Sequence, residues 1–88
     1  MKKYLNKLKY RSWHRGTKEA DIFFGNFFDL YCKNMNLDQL KKYEKFLELV
    51  NDNDIILIAK GKKNWPDGFS REITKLIEEY IISENLRP

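Results

Sequence analysis

The stretch ADIFFGNFFDLY, residues 20–31, places its large apolar side chains three and four positions apart. Side chains at this spacing lie on one face of an α-helix, because the helix completes a turn about every 3.6 residues. The apolar face consists of Ala20, Phe23, Phe24, Phe27, Phe28 and Tyr31. The stretch therefore predicts an amphipathic helix that buries an aromatic face against other helices.

The segments that follow carry further helix signals. Asn36 and Gln39 form a capping-box pattern, which predicts the start of a second core helix. The motif NDND at 51–54 ends that helix and caps a short apolar helix over 55–58. A strand at IILI is rejected because a single strand would have nothing to pair with. The segment GKKNWPDG, residues 61–68, is predicted to be a loop.

Together these patterns predict an all-α protein, a small five-helix bundle that forms a single domain over residues 1–88. The expected parts are a basic N-terminal helix over 1–15, core helices over about 17–60, the loop 61–68 and a C-terminal helix over 69–84. Of the 88 residues, 42% are apolar and 15% aromatic, so a few large rings must fill a thin core.

Cysteine content and hydropathy bound the compartment. Cys32 is the only cysteine, which excludes an internal disulfide and fits a reducing compartment. No apolar run approaches the roughly 20 residues of a membrane span, so we expect no membrane insertion. The cationic N-terminus is not followed by the apolar segment of a secretory signal.

The net charge of +4 is unevenly distributed. Residues 1–18 hold seven Lys and Arg side chains and no acid, whereas the remainder has a balance of −3. Such a basic arm indicates either an anionic partner or a simple contribution to solubility. Because Tyr4, Tyr10 and Trp13 lie among these cations, a small helical nucleic-acid-binding protein that uses residues 2–18 is the alternative hypothesis.

The sequence offers no convincing catalytic or cofactor site. His14 and Cys32 are too few for a zinc site, and Cys32 is more typical of a small core residue than of a nucleophile. The NDND motif lacks the glycine and the distal Glu of a calcium loop. The 61–68 segment lacks the spacing of a phosphate-binding loop. We therefore expect a protein that is not an enzyme and has no cofactor of its own.

The segment HRGTKEAD, residues 14–21, predicts a corner between the first two helices. Gly16 would adopt a left-handed conformation, and Thr17 would cap the second helix. Glu19 and Asp21 would lie in that helix's first turn, where the helix dipole favours anions. A corner without a side chain at Gly16 would also let another protein's backbone approach closely.

The sequence resembles the SdhE family of FAD assembly factors over roughly residues 8–82. The resemblance rests on YRSWHRGTKEAD (10–21), FFDLY (27–31), LKKYEKFLEL (40–49) and NDNDIILIAKG (51–61). Its most specific element is the motif Arg-Gly-x-x-Glu, which is matched by Arg15, Gly16 and Glu19.

The resemblance implies a monomeric assembly factor that binds the flavoprotein subunit of succinate dehydrogenase, and in some cases that of fumarate reductase. Binding would promote covalent attachment of FAD to that subunit, in the bacterial cytoplasm or the mitochondrial matrix. No nucleic acid is expected as a partner. The partner-binding residues would be Arg15, Gly16 and Glu19, flanked by Trp13, His14, Lys18 and Asp21.

Three residues depart from the family pattern. Thr17 stands where many members have Met, and Ala20 where a larger aliphatic side chain is usual. These two changes are expected to alter the partner contact. Ile58 replaces a frequent Trp and is expected to lie in the core.

Overall fold

A computed structural model describes residues 2–86, and this part of the chain contains five α-helices and no strand. The predicted all-α five-helix architecture is confirmed. The helices are α1 (Lys2–Trp13), α2 (Lys18–Tyr31), α3 (Leu37–Leu49), α4 (Asp52–Ala59) and α5 (Arg71–Ser83). No helix within the described residues is long and apolar enough to cross a membrane.

The aromatic face of α2 forms the centre of the core. Its predicted apolar residues are buried, except for the half-buried Tyr31 at its end. Phe24 contacts Phe46 of α3, and Phe27 contacts Tyr80 of α5, both as edge-to-face aromatic pairs. The periodicity in residues 20–31 therefore identified the buried face correctly.

Side-chain caps set the beginnings of four helices. Asn36 and Gln39 make the predicted capping box at the start of α3. Thr17 caps α2, Asn51 caps α4 and Ser70 caps α5, each by accepting a hydrogen bond from a backbone N–H in the first turn. The segment 55–58 is helical, as predicted, and lies within α4.

Several expected boundaries need correction. The first helix ends at Trp13 and not at Arg15, because the backbone N–H of Arg15 bonds to Asp21 outside the helix. The last helix begins at Arg71 and not at residue 69, because Ser70 is its cap. A 3₁₀ turn, Cys32–Asn34, follows α2 and was not predicted. The expected fraying toward Pro88 and the helical start at Met1 lie outside the described residues.

Close packing joins α1 to its neighbours. The indole of Trp13 lies against Gly25 in α2, so near that a Cβ added to Gly25 would be 2.1 Å from Trp13 Cδ2. Toward α3, the buried Ser12 donates to the carbonyl of Leu8 and shares a hydrogen bond of 2.6 Å with the Tyr43 hydroxyl. These contacts fix the end of α1 and thereby the corner that follows it.

Candidate protein-docking site

The corner between α1 and α2 depends on Gly16. Its φ of +121° lies in a region that other residues rarely adopt, which confirms the predicted glycine-dependent bend. Gly16 is exposed, and a Cβ built on it would meet no heavy atom within 4 Å among the residues that the structure describes. The bend therefore presents bare backbone at the surface.

Asp21 shapes this bend from within. Its Oδ1 accepts hydrogen bonds from the backbone N–H of Arg15 and, at 3.2 Å, from that of Gly16. The hydroxyl of Thr17 accepts from the backbone N–H of Ala20 at 3.2 Å. Because these bonds occupy Asp21 inside the corner, we assign it to holding the bend, whereas the sequence suggested that it flanks a partner contact.

The side chain of Arg15 turns inward, toward the end of α3 and the start of α4. Nε donates to Asp52 Oδ1 at 3.0 Å, and Nη2 forms a salt bridge with the same oxygen at 2.9 Å. Nη1 donates to the carbonyl of Leu47 at 2.7 Å. A longer bond of 3.3 Å joins Nη2 to the carbonyl of Val50. Its Cζ also lies 5.2 Å from the centre of the Phe24 ring. The side chain is only 14% exposed.

This position differs from the one that the sequence suggested for Arg15. The family resemblance implied that Arg15 binds a partner, whereas its guanidinium bonds to acceptors within the chain. Asp52 was expected only to open α4, so its pairing with Arg15 was missed. No periodicity links positions 37 residues apart, and the only signal was that both belong to segments of the family resemblance.

Lys18 and Glu19 are the outward-facing charges of the corner. Both side chains are exposed, and neither has a hydrogen bond or ion pair within residues 2–86. Glu19 also borders an open cleft of about 390 Å³ between the start of α2 and the start of α4. The cleft is lined by Thr17, Glu19, Asp52, Asn53, Ile56 and Leu57. Charge and apolar surface are thus available side by side.

Trp13 and His14 have internal contacts. Trp13 is half-buried against α2, whereas His14 is exposed and stacks on Tyr10 with ring centres 4.0 Å apart. The Nδ1 atom of His14 lies 2.8 Å from the carbonyl oxygen of Tyr10.

The rings of the N-terminal helix are also engaged in contacts: Tyr4 donates its hydroxyl to Glu44 at 2.8 Å. Of the rings considered for base stacking, only Tyr10, 65% exposed, therefore offers a large free surface.

The three family departures lie in different environments. Ala20 is wholly buried, so any effect of this residue on a partner contact would be indirect. Thr17 is exposed beside Gly16 and acts as the cap of α2. Ile58 is 1% exposed and belongs to the protein interior, as expected.

Within residues 2–86, no group of three or more His, Cys, Asp and Glu side chains is placed to bind a metal ion. Cys32 is half-buried and packs against the core.

Comparison with known proteins supplies the family context. Residues 6–81 match the family model Sdh5, described as flavinator of succinate dehydrogenase. Succinate dehydrogenase assembly factor 2-B, mitochondrial, of Drosophila willistoni is 32% identical over 79 residues, 89% of this chain and 51% of the relative. Factor 2-A of Drosophila ananassae is 34% identical over 76 residues, 85% of this chain and 49% of the relative. The chain spans about half the length of these curated relatives. No solved structure matches it.

Proposed function

This chain belongs to the Sdh5 family, and we propose that it binds the flavoprotein subunit of succinate dehydrogenase and promotes covalent attachment of FAD to it. The observation that carries the proposal is the exposed Gly16 corner, where Lys18 and Glu19 lack partners within the described residues. The matched relatives are named as mitochondrial. We place this protein in the mitochondrial matrix or, in a bacterium, in the cytoplasm.

The corner is suited to binding another protein's backbone. Gly16 allows close approach, because no side chain stands between its backbone and a partner. Glu19 can accept hydrogen bonds from donors of the flavoprotein, and Lys18 can pair with its acids or carbonyls. The cleft beside Glu19 adds apolar contact surface through Ile56 and Leu57. These features support docking to another protein.

The helper acts on the conformation of its client. The bond-forming step uses a histidine of the flavoprotein and the electrophilic flavin, so the helper need not supply an acid or a base. A ligand shifts a conformational equilibrium only as far as it binds one state better than another. We propose that the Gly16 corner binds the state of the flavoprotein in which histidine and flavin can react. Fumarate reductase is a second possible client on the same reasoning.

Co-expression tests this function directly. The flavoprotein is expressed with and without this chain in flavin-replete cells, and covalent flavin is measured by fluorescence in a denaturing gel. We expect a clear increase when the chain is present. Unchanged fluorescence would contradict the proposed function.

A matched pair of variants locates the effect. Glu19→Gln removes the exposed negative charge at the corner, and Glu79→Gln removes an exposed negative charge from α5. Both variants have the same net charge, so a general electrostatic effect would be equal in the two. We expect only Glu19→Gln to lose flavinylation. The loss should be roughly tenfold, which corresponds to a charge-assisted hydrogen bond of about 1.5 kcal/mol. Equal activity of the two variants would exclude Glu19 from the contact.

A further inference from the structure

We propose that Arg15 is a positioning residue, which holds the start of α4 beside the Gly16 corner without touching the flavoprotein itself. The inference rests on the proposed function and reassigns one member of the Arg-Gly-x-x-Glu motif. In it, Gly16 and Glu19 belong to the docking surface, and Arg15 fixes the arrangement of that surface.

The guanidinium donors of Arg15 are used within the chain. Arginine has five N–H donors in a rigid fork. In this chain Nε, Nη1 and Nη2 all bond to acceptors of the α3–α4 corner, namely Asp52 and the carbonyls of Leu47 and Val50. The side chain is also largely covered. A partner would have to break several internal bonds before it could use this group.

The acceptors of Arg15 lie at the end of α3 and at the start of α4. The last carbonyls of a helix accept no hydrogen bond from within the helix. Leu47 and Val50 lie at the C-terminal end of α3, where their carbonyls can accept from Arg15. A cation is favoured there, and an acid is favoured at Asp52, the first residue of α4. One guanidinium therefore bonds to both the end of α3 and the start of α4. This shared contact fixes the orientation of α4 relative to α3.

The contact between Arg15 and Asp52 lies beside the cleft at Glu19. With Arg15 bonded to Asp52, the first turn of α4 lies next to the first turn of α2. Glu19 then shares one cleft with Asn53 and Leu57, which are both exposed. Releasing α4 would separate these residues, although each would keep its own exposure and charge.

A double-mutant cycle on affinity separates positioning from contact. The full chain and its variants Arg15→Ala, Asp52→Ala and the double variant are titrated against the purified flavoprotein subunit. We expect each single variant to bind roughly tenfold more weakly and the double variant no more weakly than Arg15→Ala. If Arg15 instead contacted the flavoprotein, Asp52→Ala would release it for binding. Wild-type or tighter affinity for Asp52→Ala, or losses that multiply in the double variant, would overturn the proposal.

The conservative variant Arg15→Lys adds a readout that charge alone does not explain. Lysine keeps the positive charge but concentrates its donors on one nitrogen, so it cannot reproduce the fork that joins Asp52 to the two carbonyls. We expect affinity close to that of Arg15→Ala. Restoration to within about twofold of wild type would show a role for charge and overturn the positioning assignment.

Amide hydrogen exchange tests the same claim without the flavoprotein. In Arg15→Ala we expect amides of α4 to exchange roughly tenfold faster relative to those of α2, because local opening of α4 becomes easier. The matched control is Lys42→Ala, which removes a cation that joins α3 to Glu72 of α5. An unchanged α4-to-α2 ratio in Arg15→Ala would overturn the proposal. Failure of the wild-type chain to bind the flavoprotein would instead overturn the proposed function, and this measurement would still decide the role of Arg15.

Discussion

Gly16 and Arg15 are neighbours in the chain but have opposite relations to the surface. Gly16 is exposed with open space around it, whereas the Arg15 side chain is 14% exposed and bonded inside. The glycine could be predicted from the sequence because a helix corner needs a positive φ, which is a local property. The direction of Arg15 could not be predicted, because it depends on where the α3–α4 corner packs.

Gly16→Ala has a close internal control in Gly68→Ala. Both glycines have positive φ, +121° and +100°, and an added Cβ would be unobstructed by described atoms at either one. We expect each variant to lose about 1–2 kcal/mol of unfolding free energy from backbone strain, measured by urea denaturation. Only Gly16→Ala should lower flavinylation beyond that loss, because only its methyl group would face the flavoprotein. Equal flavinylation by the two variants would contradict docking at the corner.

The packing of α1 on α2 shows why one element has a glycine in its interior. Glycine costs a helix about 1 kcal/mol relative to alanine, and Gly25 lies on the buried face of α2. Its missing side chain makes room for the indole of Trp13. The tight crossing therefore offsets a local cost, and it holds α1 in place directly before the Gly16 corner.

Gly25→Ala should reverse the usual effect of alanine in a helix. The new Cβ would stand 2.1 Å from Trp13 Cδ2, so the indole or the helices must shift. We expect a loss of about 1–3 kcal/mol in unfolding free energy, measured by urea denaturation. Combining Gly25→Ala with Trp13→Ala should cost less than the sum of the two single changes, because the clash disappears with the ring. A stabilised Gly25→Ala would show that the crossing is looser than described.

The limits of the helices could be predicted where their signals are local. The capping box of Asn36 and Gln39 and the cap Asn51 are confirmed, because such side chains bond within three residues. The end of α1 was misplaced by two residues, since Asp21 redirects the backbone at Arg15 from the next helix. The 3₁₀ turn at Cys32–Asn34 also escaped prediction, because its residues do not distinguish a 3₁₀ turn from a last turn of α-helix.

At the scale of the whole molecule, a charged cluster joins the basic N-terminal helix to the rest. Glu44 of α3 accepts from Tyr4 at 2.8 Å and pairs with Lys7 at 2.9 Å, while Arg11 lies 3.4 Å from its Oε2. The hydrogen bond from Lys7, followed by that from Tyr4, lowers the pKa of Glu44. Burial, together with Glu44, raises the pKa of Tyr4 to about 12. Part of the basic arm is thus neutralised within the fold.

Glu44→Gln should change how stability depends on pH. Folding lowers the pKa of the Glu44 carboxyl from its unfolded value of 4.5. Such a carboxyl stabilises the folded state at pH values above the unfolded pKa, and this stabilisation is lost as the pH falls through the folded pKa. We expect the difference in unfolding free energy between wild type and Glu44→Gln to be largest near pH 7 and to narrow below about pH 4.5. Urea denaturation at several pH values measures it. A difference that stays constant from pH 7 to 3 would show that the ionised form of Glu44 contributes nothing.

The fold class and the core could be predicted for the whole molecule, because periodicity reports burial without reference to neighbours. Which helices pack against one another could not be predicted. Nothing in the sequence shows that α4 packs beside the first turn of α2, and this contact creates the cleft at Glu19. The proposed docking site was therefore predicted as a motif on one corner, whereas in the structure the α1–α2 corner and the start of α4 lie side by side.

The packing of Trp13 against Gly25 gives the protein an intrinsic fluorescent probe next to the Gly16 corner. Trp13 stands three residues before Gly16. The other indole, that of Trp65 in the loop that precedes α5, donates to Glu78 within α5. In a Trp65→Phe background, all tryptophan emission would arise beside the corner. The intensity and wavelength of this emission would then report binding of a partner at the Gly16 corner without an attached dye.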